Sequence, residues 1–95
     1  MKLTQPTDFD ILSVLSDGKR NNAINIAEML DQERSYMNTR LPVLDDYGLI
    51  ESVGPAENSG LYVITDKGQQ ALKYQDEYNK DSDRFEELLE ADDDS

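Results

Sequence analysis

The 95-residue chain contains no cysteine and no histidine. The first absence excludes disulfides and thiolate zinc sites. The second removes the base from any Ser-His or Cys-His nucleophilic machinery. Both are compatible with a reducing cytosol. Positive charge is also scarce, with 9 Lys and Arg against 21 Asp and Glu and a net charge of −12. No apolar run approaches the length that spans a bilayer, and no signal-peptide pattern opens the chain. A soluble, cytoplasmic protein without a membrane partner is expected, built as one domain around a single modest core.

The acidic excess is uneven. Residues 1–72 carry 6 Lys and Arg against 11 Asp and Glu, while residues 73–95 carry 3 against 10. Such acidity is the wrong sign for a nucleic-acid binder, whose affinity comes largely from cations on phosphates. It does suit a very salty cytoplasm, where hydrated carboxylates keep a protein in solution. There the screening length falls to about 3 Å, which mutes repulsion from DNA.

What is present is a pair of helix patterns over residues 22–47, joined by a turn at Asp31, Gln32 and Glu33. In the second helix Met37, Leu41 and Leu44 recur at i, i+4 and i+7 and share one buried stripe. Ser35 and Thr39 point away from it, with Asn38 and Tyr36 on its flanks. Arg34 and Arg40 lie at the margins of this face. These residue types are suited to base edges and phosphates in a major groove. Plain polar surface accounts for them equally well from the helix alone. Arg34 opposes the helix dipole, which mildly favours a phosphate partner. Pro42 removes the hydrogen bond to the Asn38 carbonyl and should bend the helix, and Gly48 closes it.

The remaining elements are read in order. Residues 1–5 form a loose arm. A helix opens at Pro6 and Thr7, with Thr7 and Asp10 as a capping box and Asp8 and Asp10 on the positive end of its dipole. It ends near Asp17, with Gly18 in the left-handed cap. Lys19 and Arg20 follow and serve either a phosphate or a solvated loop. Asn22 caps the next helix, whose inner face is Ile26, Ala27 and Leu30. Residues 49–53 and 61–64 are strands of a hairpin whose tip is rich in turn formers, including Asn58 and Ser59. Thr65 caps a last long helix, and Gly68 allows it a close neighbour. Tyr74, Tyr78, Phe85 and Leu88 continue a 3–4 alternation interrupted at Asp81, which suggests a dimer seam. The alternative is that Leu72 and Tyr74 pack internally while residues beyond about 80 fray. The acidic end is expected to be disordered.

This order of elements is that of a winged helix-turn-helix: an α+β fold with a three-helix core, a two-stranded β-hairpin wing and an extended C-terminal helix. The wording resembles haloarchaeal winged-helix regulators of the phage phi-H repressor type over residues 8–72. The carriers are RLPVLDDYGL at residues 40–49, VGPAENSGLY at 53–62 and ITDKG at 64–68. The resemblance implies a transcriptional regulator of double-stranded DNA. It places the reading residues in 34–40, the wing tip at residues 58–60, and makes Pro42 a family feature. Glu57 and the acidic extension depart from the pattern. Two units are expected, a winged helix-turn-helix domain over 1–72 and a C-terminal helix with an acidic tail over 73–95.

Other chemistry finds little support. Asn79, Asp81, Asp83 and Glu90 fall on the spacing of a calcium loop, but Arg84 occupies the position that requires glycine. The Asp45-Asp46 pair lacks a pocket, nucleophile or metal partner. No enzyme activity, cofactor, metal or small-molecule ligand is expected. Two functions remain. One is a homodimeric, repressor-like regulator using Arg34, Ser35, Tyr36, Asn38, Thr39 and Arg40, supported by Lys19, Arg20, Asn58 and Ser59. The other is a protein-interaction or DNA-mimic module that docks a basic partner through its acidic surface and tail.

Overall fold

The computed structural model describes residues 1–54 and 60–93. Its elements run α1 (Thr7–Leu15), β1 (Asn21–Asn22), α2 (Ala23–Leu30), α3 (Arg34–Asp46), β2 (Ile50–Val53), β3 (Leu61–Ile64), α4 (Asp66–Lys73), α5 (Gln75–Lys80) and α6 (Ser82–Asp93). The strands form one antiparallel sheet in the order β1-β3-β2. The wing strands pair from Ile50 opposite Ile64 to Val53 opposite Leu61. The expected two-stranded hairpin gains a third strand, because Asn21 pairs with Tyr62 and Asn22 with Leu61. Two residues are too few to show a period of two, so only loop and cap were legible there.

Local chemistry sets the helix ends. The Asn22 side chain accepts from the Asn25 amide at 2.9 Å and opens α2. Asp31 closes it in the left-handed conformation at φ 53°, while the Gln32 amide reaches back to the Ala27 carbonyl. This Schellman-type turn aims the chain into α3. Gly48, at φ 79°, closes α3 the same way, and the Leu49 amide returns to the Leu44 carbonyl. Pro42 lies on the exposed side of α3 without ending it. Met37, Leu41 and Leu44 face inward, as their spacing requires, and meet Phe9, Ile11, Leu12, Leu15 and Ile26 in one core.

The first residues are a strap rather than a loose arm. The Lys2 amide donates to the Tyr47 hydroxyl at 3.0 Å. The Leu3 amide donates to the Tyr78 hydroxyl, which donates in turn to the Leu3 carbonyl. Leu3 itself belongs to the core. The Thr4 amide donates to Asp8 at 2.7 Å. The expected Thr7–Asp10 capping box does not form: the cap position of α1 is Pro6, without a side-chain cap bond. Asp8 turns inward and is fully buried.

The C-terminal part also differs from the expected single long helix and frayed tail. The chain breaks at Tyr74 and again at Asp81, whose extended backbone starts α6. The Asp81 carboxylate accepts from the Asp83 amide at 3.1 Å, which is N-cap chemistry. The turn sends α6 back over the domain, and Phe85 and Leu89 enter the same core as residues of α1. Phe9, Tyr78 and Phe85 meet edge to face, with ring centroids 5.1 to 6.1 Å apart. Tyr78 and Phe85 are therefore not free to line a dimer seam. Their 3–4 spacing reflects intramolecular packing across the Asp81 turn, while Tyr74 and Leu88 are half-buried.

One corner locks α4 to α3 and the sheet. The Thr65 hydroxyl donates to the Gly48 carbonyl at 2.6 Å and accepts from the Gly68 amide at 3.0 Å. The Thr65 amide donates to the Leu49 carbonyl. A Cβ at Gly68 would stand 2.1 Å from that same carbonyl oxygen. The residues Thr65 and Gly68 of the 64–68 segment thus form the seat of α4. Gly68→Ala should cost about 3 kcal/mol through overpacking against backbone, read as a lowered urea midpoint with unchanged slope.

Candidate nucleic-acid interface

The outward side of α3 follows from its inward one. With Met37, Leu41 and Leu44 buried, the helical period leaves Arg34, Ser35, Asn38 and Thr39 exposed. The Thr39 hydroxyl donates back to the Ser35 carbonyl at 3.1 Å, which keeps its lone pairs available as acceptors. Arg34 has no ion pair or hydrogen bond among the described residues. Tyr36 is half-buried and packs against the core. Lys19 and Arg20 are exposed in the loop before β1, where the Lys19 amide is held by Asp17. Asn58 and Ser59 lie outside the described residues.

Arg40 departs from its expected role. Its Nε donates to Asp8 Oδ1 at 3.0 Å and its Nη2 to Oδ2 at 2.6 Å. The Arg40 side chain is 15% exposed and the Asp8 side chain 0%. Hydrogen bonding to Asp8, outweighing the opposing effect of burial, raises the guanidinium above its already high value. Arg40 is thus a strut between α1 and α3, not an outward anchor. Its position at the edge of the polar face misled the sequence reading, because the partner lies 32 residues away.

The structure also brings together residues that the sequence did not. A groove of about 260 Å³ opens beside α3, lined by Asn22, Ala23, Ile24, Arg34, Asn38, Gly60 and Tyr62. Three elements converge on it: the start of α2, the first turns of α3 and the returning wing strand. The β1–β3 pairing sets Asn22 beside this strand. Burial, and then the charge of Asp45, push the Tyr62 phenol above its ordinary value, so it keeps its proton as a donor. From the sequence Asn22 reads only as a cap and Tyr62 only as part of a strand, and Ile24 carries no signal of its own. A search for unexplained exposed apolar residues turns up Ile24 together with Met29.

No protein-family model matches the chain, and no curated protein does. Solved structures do. One is the Zalpha domain of Cyprinid herpesvirus 3 ORF112, determined for its binding mode to Z-DNA. It matches at a TM-score of 0.58 and 19% identity, over 67% of this chain and all of that one. Another is the transcriptional repressor CouR bound to p-coumaroyl-CoA, at a TM-score of 0.63 and 27% identity. That match covers 92% of this chain but 62% of CouR, so the chain spans less than two thirds of the repressor. The fold is a winged helix-turn-helix. The helix order, the α2–α3 turn and the β2–β3 wing base all agree with it. Among the described residues no helix is long and apolar enough to cross a membrane.

The Arg40–Asp8 geometry carries its own test. Arg40→Ala would leave a buried carboxylate with one amide partner, at a cost of about 3–5 kcal/mol. Asp8→Ala should cost a similar amount. Thermal melts of both variants read this directly, and either melting like wild type would refute the strut.

Proposed function

We propose that this chain is a DNA-binding transcriptional regulator, repressor-like, that reads duplex DNA with α3 in the major groove. The observation that carries it is the outward face of α3. Arg34, Ser35, Asn38 and Thr39 stand exposed on a helix held rigidly from behind, beside a groove that continues to the wing. Ser35, Asn38 and Thr39 are the base-reading set, with Arg34 on a phosphate and Lys19 and Arg20 in support. Arg40 is left out of the contact set. CouR, a repressor with a similar fold, supports the reading. Two copies on two half-sites would follow from the usual geometry of such regulators, with a dimer contact that does not use Tyr78 or Phe85.

The charge pattern sets how binding responds to salt. Three exposed cations serve each protomer, so the slope of log K against log salt should be no steeper than about −3 per protomer. Binding would then survive molar KCl, which fits the expected high-salt setting. Genomic fragments pulled down in KCl provide the test, with wild type beside Asn38→Ala. Wild type should enrich defined fragments, and Asn38→Ala should lose about tenfold or more in affinity and relax sequence choice at one position. Enrichment of no fragment by wild type would sink the reading.

A further inference from the structure

Ile24 and Met29 are the large hydrophobic residues left exposed among the described ones, at 50% and 53%. Both lie on α2, whose packing is supplied by Ile26 and Ala27. The fold therefore gives no reason for an isoleucine at position 24. Its surroundings do. Ile24 lines the groove together with Arg34 and Asn38, whereas Met29 does not.

The charge count adds a second argument. With 9 cations against 21 carboxylates, counterion release contributes little to holding DNA. A contact that lasts in concentrated salt must rest on hydrogen bonds and apolar burial. Apolar burial is not screened, and excluded salts strengthen it. A nucleotide offers apolar surface on its deoxyribose and, for thymidine, on the C5 methyl. The groove presents the matching set in one place: a guanidinium without a partner among the described residues for the phosphate, a carboxamide for an edge, and an aliphatic side chain.

We propose that Ile24 is a DNA-contact residue, packing on the apolar surface of the nucleotide whose phosphate is held by Arg34. This rests on the DNA-binding reading above and extends the interface from α3 to the first turn of α2. Ile24 would supply the part of the affinity that salt does not remove, and Arg34 the part that it does.

The experiment measures anisotropy of a labelled duplex carrying the wild-type-enriched sequence, at about 0.2 M and about 2 M KCl. Ile24→Ser, Ile24→Leu, Met29→Ser and Arg34→Ala are compared with wild type, and thermal melts confirm that each is folded. Ile24→Ser should weaken binding about fivefold at both salt concentrations. Ile24→Leu and Met29→Ser should bind like wild type. The loss in Arg34→Ala should shrink at the higher salt. A duplex with uracil for thymine separates the two apolar sources. If it reproduces the Ile24→Ser loss the contact is the methyl, and if it does not the contact is the sugar. Folded Ile24→Ser binding like wild type, or Met29→Ser weakening as much, would overturn the proposal while leaving the regulator intact. Failure of wild type to bind any duplex would remove both.

Discussion

The bond between Asp8 and Arg40 decides where α3 stands. It is a two-point contact between a fully buried carboxylate on α1 and a guanidinium on α3. Such a pair adds little net stability compared with well-packed apolar residues, because both charges are desolvated. Its effect is geometric. A planar guanidinium paired at two points fixes rotation about α3 as well as its distance from α1. Asp8 also accepts the Thr4 amide, so the N-terminal strap, α1 and α3 share one carboxylate. Apolar contacts among Met37, Leu41 and Leu44 would tolerate a small roll of α3. The ion pair does not, and a roll would carry Arg34 and Asn38 away from the groove they line.

Two further contacts hold the elements around that helix. The Thr65–Gly68 corner ties α4 to the carbonyls at Gly48 and Leu49, just beyond the end of α3. The aromatic cluster of Phe9, Tyr78 and Phe85 ties α5 and α6 to α1. Tyr78 joins this cluster to the N-terminal strap, since its hydroxyl is bonded to both backbone groups of Leu3. The acidic C-terminal helix is therefore a structural part of the domain. Its buried side supplies Phe85 and Leu89, while exposed acids such as Asp83 and Glu87 point to solvent. A unit ending at residue 72 would lose this part of the core.

What the sequence disclosed follows the range of each interaction. Features set by the local pattern were legible: the Asn22 and Thr65 caps, the Gly48 turn and the Met37-Leu41-Leu44 stripe. Each has its partner in the same local pattern. Features closed across the fold were not. Asp8 had a sufficient local explanation in the helix dipole, and Arg40 had one at the edge of a polar face, so nothing pointed from one to the other. Tyr78 and Phe85 kept helical spacing on both sides of Asp81. That the chain reverses there depends on Asp81 acting as a cap, which only the fold reveals. The groove was the least legible feature, because its walls come from three elements and one wall depends on a two-residue strand.

These differences change the chemistry of the interface as well as its membership. Removing Arg40 leaves Arg34 as the outward cation of α3, with Glu33 beside it and Lys19 and Arg20 on a separate loop. If α3 reads DNA as proposed, long-range attraction does not bring it there, and the net charge opposes approach at low salt. What remains is short-range: amide and hydroxyl groups held in fixed positions, an aliphatic wall and a neutral phenol. Short-range contacts discriminate only when their geometry is rigid, since each is worth little if its partner can shift. That is the physical link between the buried ion pair and the polar face it supports. An interface poor in cations depends on position rather than charge, and the Asp8–Arg40 strut fixes that position.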